Sequence, residues 1–391
     1  MPGSVIVAGA RTPIGKLGGA LSSLSAVELG GLAIHAALTR AGVSPEQVQH
    51  VFMGHVIQAG TGQITARQAA VFGGVPMSVP CLTVNKVCLS GLQAIYLADQ
   101  MISAGEAEVV VAGGMESMSQ APFLLPKVRS GWRFGDHTAV DALVRDALYC
   151  SFDHASMGES TERIGAAAGI SRQEQDAIAL ASHERALDAR DKLADEIVPV
   201  EIAQPKGGPI VMNHDEGVRG DTTADALGKL SASFVTDGAV TAGNSSQISD
   251  GAAAVIVTSR AVAQRLNLQP LGEVLSYGMV AGPDASLLYQ PAGAIRAALR
   301  RVDLDVNDLD VIEINEAFAS VMAASMKDLG ITHDRVNVNG GAIALGHPVG
   351  MSGTRLALTL LHELRRRGGG TGAAGLCGGG GQGDAIVVRS L

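Results

Sequence analysis

Three separate stretches of the chain hold residue types suited to covalent acyl chemistry. Cys88 lies in Val84-Asn85-Lys86-Val87-Cys88-Leu89-Ser90-Gly91-Leu92. Apolar periodicity through Leu89, Leu92, Ile95, Tyr96 and Met101 puts it at or near the first turn of a helix, where free N–H groups and the helix dipole favour the nucleophilic thiolate. A free cysteine also serves as a small buried hydrophobe, and the position alone leaves that open. His347 sits in a glycine loop, Asn339-Gly340-Gly341-Ala342-Ile343-Ala344-Leu345-Gly346-His347-Pro348. Pro348 stiffens the turn, so the imidazole could deprotonate Cys88 or donate to a thioester oxygen. A surface loop histidine is the plain alternative. Cys377 ends a strand-like segment and precedes Gly378-Gly379-Gly380-Gly381. It could act as a base, with backbone N–H groups beside it forming an oxyanion site. The glycine run lacks the Lys-Ser/Thr ending of a phosphate loop and the spacing of a dinucleotide fingerprint. Asn315 follows the alternating Val311-Ile312-Glu313-Ile314, where a carboxamide caps a turn or holds a water or carbonyl oxygen. Cys81 and Cys150 lack such surroundings and read as structural. A nucleophilic thiol, an imidazole and a second thiol are the parts needed to make or break a carbon–carbon bond between thioesters.

Those parts need a large scaffold, and 391 residues supply two or three domain-sized cores. No apolar run is long enough to span a membrane, and Met1-Pro2-Gly3-Ser4-Val5-Ile6-Val7 lacks a basic segment followed by an apolar one, so a cytoplasmic protein is expected. A formal charge of −9 without long like-charge blocks argues against nucleic-acid binding, but leaves room for a local basic patch holding an anionic ligand. Four cysteines without a Cys-x-x-Cys pair suggest neither a disulfide scaffold nor zinc, so no metal is expected. The fifty glycines exceed the usual share of about 7%, and close backbone approach is the reading we give them.

The chain also repeats itself. Val43 to Val51 has its echo in Leu304 to Ile312. At nearly the same offset, the stretch from Ser90-Gly91 to the strand Val109-Val110-Val111-Ala112-Gly113-Gly114 has its echo from Ser352-Gly353 to Cys377. A duplicated α/β unit with two packed halves is the simplest cause. Between the halves, strand-like alternation is scarce from Ser119 to Thr241. This segment, with a helix expected from about Arg172 to Asp191, reads as an insertion over one face, a natural ligand platform.

The motifs Ala10-Arg11-Thr12-Pro13-Ile14-Gly15, Asn85 to Gly91, Ala112 to Ser119, Thr241 to Ser246, Asn315-Glu316-Ala317-Phe318, Gly340 to Gly350 and Cys377 to Gly381 resemble, in order and spacing, those of the thiolases, within them the acetyl-CoA acetyltransferase branch. The resemblance implies a five-layer αβαβα core of two similar halves, residues 1–118 completed by about 242–268, and 269–391, with an inserted loop domain at 119–241. It implies that Cys88 takes the acyl group in a ping-pong cycle with His347 activating it. Cys377 moves the α-proton, Asn315 through a water and His347 hold the enolate oxygen, and the N–H groups of Cys88 and Gly379 hold the other oxyanion. Arg219 would meet the nucleotide end of CoA, Ser246, Ala317 and Phe318 its pantetheine arm, and Met157 would close the acyl pocket in favour of short chains. Coenzyme A thioesters are then substrates and no cofactor is required. Segment 120–136 resembles the loop through which such enzymes form homotetramers, as dimers of dimers. Two residues depart from the family pattern: Ser156 stands where a histidine is usual, and Leu89 where alanine or glycine is. Three other readings compete: a degradative 3-ketoacyl-CoA thiolase of broader chain length, a decarboxylating condensing enzyme, and a non-catalytic acyl-CoA or lipid-binding relative. Cys377 argues against the condensing enzyme, and the joint presence of Cys88, His347 and Cys377 against the non-catalytic one.

Overall fold

The computed structural model describes residues 4–204 and 206–390; the first three residues of the N-terminal segment read above lie outside them. Nine main strands, β1 (Ser4–Arg11), β2 (His50–Gly54), β3 (Cys81–Val84), β4 (Val109–Ser117), β5 (Ser249–Ser259), β6 (Gly272–Ala281), β7 (Val311–Ile314), β8 (Gly370–Gly378) and β9 (Gln382–Ser390), lie in the order β7-β8-β9-β6-β1-β5-β4-β2-β3, and the short strand Gly15–Lys16 pairs with β5. The two halves follow one plan. In the first, β2 runs parallel to β4, and β5 and β1 follow antiparallel. In the second, β7 runs parallel to β8, and β9 and β6 follow antiparallel. Among the described residues, only Val5 and Ile6 of β1, opposite Glu273 and Gly272, join the halves through the sheet. The strands read as near-continuous apolar runs because helices cover both faces; every residue of β1 is buried.

The main helices are α1 (Ala26–Ala41), α2 (Thr65–Phe72), α3 (Ser90–Ser103), α4 (Met157–Ala167), α5 (Arg172–Asp188), α6 (Gln290–Arg300), α7 (Ala319–Leu329) and α8 (Ser352–Arg366). Three apolar cores reveal the layers. One unites α1 and α2 with the outer face of the first half, and a second unites α6 and α7 with the outer face of the other. The third holds Leu92 and Ile95 of α3 and Leu356 and Leu360 of α8 between strand residues of both halves, such as Val110 and Ile386. The order is therefore α, β, α, β, α. Each such buried leucine or isoleucine contributes about 1.5–3 kcal/mol, so the central layer is a strong bond between the duplicated units. Because α3 and α8 are the paired elements of the repeat, the residues leading into them, Cys88 and His347, meet at one end of that layer.

In the segment 119–241, four two-residue and two three-residue strands lie among turns and short helices, and α4 and α5 supply the longer elements. The helix expected to 191 ends at Asp188, and a separate short helix, Arg190–Ala194, follows. Among the described residues no helix is long and apolar enough to cross a membrane.

Candidate active site

Cys88 follows an unusual turn. Val87 has φ 51°, a left-handed conformation that a β-branched side chain strongly disfavours, costing about 1–3 kcal/mol. Surrounding bonds hold it there. Ser90 Oγ donates to the Val87 carbonyl (2.6 Å) and accepts from Lys86 N–H (2.8 Å), while Val87 N–H donates to Asn85 Oδ1 (3.1 Å). The turn aims the sulfur into a cavity ahead of α3, whose cap is Leu89. The expectation of an acidified thiol is corrected here. Burial pushes the Cys88 thiol up to about 12; the backbone N–H groups of Cys88 and Gly379 pull the other way, and the charge of Glu116 pushes up further. A helix start is legible in sequence, but the desolvation that outweighs it is not.

His347 is placed by glycines of the other half. A Cβ at Gly54, Gly91 or Gly114 would press into the carbonyl of Gly350, so the loop after His347 beds directly on backbone of the first half. Glu116 Oε2 accepts from the Gly350 N–H (3.0 Å) and the Val56 N–H (3.1 Å), fixing the same loop from the side. The imidazole itself is oriented by Ser352, which the sequence reading used only to mark the start of α8. Ser352 Oγ donates to the Pro348 carbonyl (2.9 Å) and so accepts from His347 Nδ1–H (2.5 Å). Nε2 is left with its lone pair, 3.3 Å from Asn315 Nδ2. Burial, and secondarily the charge of Arg355, press the His347 pKa down to about 3, so the ring is neutral and can accept a proton at Nε2.

Cys377 is the penultimate residue of β8, paired with Gly383 of β9, and the glycine turn between these strands carries Gly379. Burial raises its thiol pKa above the ordinary range, and so does charge on Cys88, so the two sulfurs resist being thiolates together. Leu89 does not crowd the nucleophile. It is fully buried in the central layer and fills the space over Gly378, where a Cβ would collide with it. Asn315 takes its place from its N–H bond to the Gly375 carbonyl (3.0 Å), and its Oδ1 is buried without a protein partner. The neighbouring Glu316 ties three segments together, accepting from Ser182 Oγ (2.6 Å), Asn337 Nδ2 (2.8 Å) and the Ile343 N–H (3.0 Å).

A cavity of about 560 Å³ is lined by Cys88, His347, Cys377 and Gly379 together with Met157, Arg219, Ser246, Ala317 and Phe318. Asn315 is absent from its lining and reaches it through His347. Lys16 and Gln247 also line it, and sequence reading named neither. Lys16 and Arg219 make the polar part of the wall cationic, which suits an anionic ligand. The Arg219 loop is anchored from a distance. Arg11, fully buried, donates to both oxygens of Asp215 (2.6 and 2.9 Å) and to Glu196 (2.6 Å), and the Arg219 N–H donates to His183 Nδ1 (3.2 Å). Ser246 Oγ donates to the Ala317 carbonyl (3.0 Å), and Phe318 packs edge-on to Phe234. Ser156, the departure from the family pattern, caps α4: its Oγ accepts from the Glu159 N–H (3.2 Å), and Glu159 accepts in return from the Ser156 N–H (2.7 Å). Met157, the first residue of that helix, lies over Gly379, where a Cβ would collide with its terminal methyl. Cys81 lies on edge strand β3, and Cys150 lines a different cavity. Among the described residues, no cluster of three or more His, Cys, Asp or Glu side chains could hold a metal ion.

Two family models match the chain, described as "Thiolase, N-terminal domain" over residues 4–261 and "Thiolase, C-terminal domain" over 268–390. A protein of Mycolicibacterium smegmatis named probable acetyl-CoA acetyltransferase is 55% identical, covering 98% of this chain and all of its own. An acetyl-CoA acetyltransferase of Cupriavidus necator is 48% identical over 98% of both chains. The crystal structure of the Bacillus anthracis acetyl-CoA acetyltransferase superposes with a TM-score of 0.97 at 41% identity, covering 100% of this chain and 99% of that one.

Proposed function

The chain belongs to the thiolase family, and from that premise we propose that it joins two acetyl-CoA into acetoacetyl-CoA and CoA, or reverses this with short 3-ketoacyl-CoA, through an acyl group on Cys88. One observation carries the reading: Cys88, His347, Cys377 and Gly379 face a single cavity with a cationic wall.

The resting pair is a neutral thiol and a neutral imidazole, since the Cys88 thiol sits near 12 and His347 near 3. His347 Nε2 accepts the thiol proton as the sulfur attacks the first thioester carbon, then passes it to the departing CoA sulfur, which leaves as CoA. Charge on one sulfur opposes charge on the other, and turning Cys88 into a thioester removes that opposition. Cys377 then gives its own proton to His347 Nε2 and, as the thiolate, takes the α-proton of the second acetyl-CoA. A weakly acidic carbon needs a strong base, and a buried thiolate of raised pKa is one. His347 and a water on Asn315 hold the enolate oxygen. The enolate carbon bonds to the acyl carbon, the Cys88 and Gly379 N–H groups hold the resulting oxyanion, and collapse frees the Cys88 sulfur, which regains the proton through His347.

Arg219 holds the anionic end of CoA, Ser246, Ala317 and Phe318 border the pantetheine arm, and Met157 limits acyl length. The same reading places the enzyme in the cytoplasm as a homotetramer, with the exposed Phe123 and Phe134 of segment 120–136 as apolar contacts. CoA-dependent cleavage of acetoacetyl-CoA beside longer 3-ketoacyl-CoAs, measured on wild type and Cys88→Ala, tests the function. Wild type cleaves the short substrate and the variant loses activity by several orders of magnitude; near-normal turnover by Cys88→Ala removes the mechanism.

A further inference from the structure

Lys86 belongs to the motif that carries Cys88, and Asp384 lies on β9 just after the glycine turn that follows Cys377, yet neither lines the catalytic cavity. Lys86 Nζ lies 2.7 and 2.9 Å from the two oxygens of Asp384 and 3.4 Å from Gln93 Oε1. The carboxylate is almost fully enclosed and the ammonium side chain is 21% exposed. The pair spans the boundary between the duplicated halves. Lys86 stands two residues before Cys88, on the strained turn of the first half. Asp384 stands on β9 opposite Leu376, beside the Cys377–Gly383 pair of the second.

Between the nucleophile turn and the β8–β9 hairpin, the other close approaches are apolar packing. Leu89 fills the space over Gly378 and Val87 stands near Gly379, and the Gly379 N–H pulls the Cys88 thiol's pKa down. Apolar packing has no preferred direction. A charge-assisted pair with two short bonds sets both distance and direction, and its burial excludes competing water. The oxyanion site requires such control, because one of its N–H donors comes from each half.

We infer that the Lys86–Asp384 ion pair is a positioning device that clamps the nucleophile turn to the second-thiol hairpin, bringing the Cys88 and Gly379 N–H groups onto one oxygen. The inference rests on the function proposed above. A misplacement of about 1 Å costs on the order of a hundredfold in rate, and the clamp acts on the reacting centre rather than on the CoA-facing wall. Its loss therefore lowers kcat and leaves KM nearly unchanged.

The test measures kcat, per folded site with the folded fraction taken from circular dichroism, and KM for acetoacetyl-CoA cleavage in wild type, Lys86→Met, Asp384→Asn, the double variant and Lys86→Arg. Destabilisation alone lowers the folded fraction and not the rate per folded site. Each single neutral variant loses roughly 10- to 100-fold in kcat with KM within about twofold. The double variant is no worse than the poorer single one, because partners in one interaction are non-additive, and Lys86→Arg, which keeps the charge, recovers most of the rate. If Lys86→Met does not fold, the double variant, which leaves no unpaired charge, carries the test with the same expected loss. A kcat per folded site within about twofold of wild type in the neutral variants overturns the clamp, as do additive losses or a change confined to KM. Inactive wild type would instead overturn the proposed function itself.

Discussion

Replacing Ser352 with alanine removes the acceptor for His347 Nδ1–H and nothing else that faces the cavity. The Ser352 hydroxyl is spent on the Pro348 carbonyl, and this fixes the histidine tautomer. Without it a buried N–H is left unpartnered, a penalty of about 1–3 kcal/mol. The ring escapes that penalty by moving its proton to Nε2, near Asn315, whose amide can turn its unpartnered Oδ1 toward it. Nε2 then cannot accept the thiol proton. Each 1.36 kcal/mol is a factor of ten in rate, so acylation of Cys88 should fall roughly 5- to 150-fold. Single-turnover release of CoA from acetyl-CoA isolates that step. Ser352→Thr, which retains a hydroxyl, should recover part of the rate, and thermal unfolding of the alanine variant should confirm a folded protein. A folded Ser352→Ala that acylates at the wild-type rate would refute the tautomer argument.

Two pH responses follow from the buried groups. With the Cys88 thiol near 12 and no preformed thiolate, alkylation of the free enzyme by iodoacetamide should climb about tenfold per pH unit from 6 to 9; a plateau through neutrality would mean a standing thiolate–imidazolium pair. His183 and His333 are held near 4 and His347 near 3 by burial, so between about 6.5 and 4 the unfolded chain binds protons that the folded one refuses, and stability falls as pH falls. Glu313, raised to about 8, and Asp250, Glu316 and Asp384, also raised by burial, act in the opposite sense above their ordinary values, against five histidines once His50 and His362, likewise lowered by burial, are counted. Unfolding midpoints should therefore drop on acidification below 6.5, less steeply in His333→Gln, a site away from the cavity; equal slopes in the two proteins would count against this assignment.

Much of the fold was legible because duplication leaves a trace in one sequence: the segments opening at Ser90 and Ser352 become α3 and α8, the paired helices of the central layer. The glycine surplus was legible in kind, as close approach, and Gly54, Gly91 and Gly114 around the Gly350 carbonyl give it a location. The site residues could be named from their types, but their electrostatics could not. Acidity at Cys88 depends on how much water reaches the sulfur, which no local pattern encodes. Ser352 was hidden because a serine at a helix start ordinarily reads as a cap. The anchoring of Arg219 through Arg11 and Asp215 was hidden because the partners lie far apart in the chain. Leu89 and Ser156 looked like perturbations of the site. In the structure one fills core space and the other caps α4.

The division of labour between the two sulfurs is most directly tested with Cys377→Ala incubated with acetyl-CoA and analysed by intact mass and peptide mapping. An acetyl group should be found on Cys88, with CoA released and no acetoacetyl-CoA formed. Absence of the adduct, or its presence on another residue, would contradict Cys88 as the acyl carrier and Cys377 as the base of the second half-reaction.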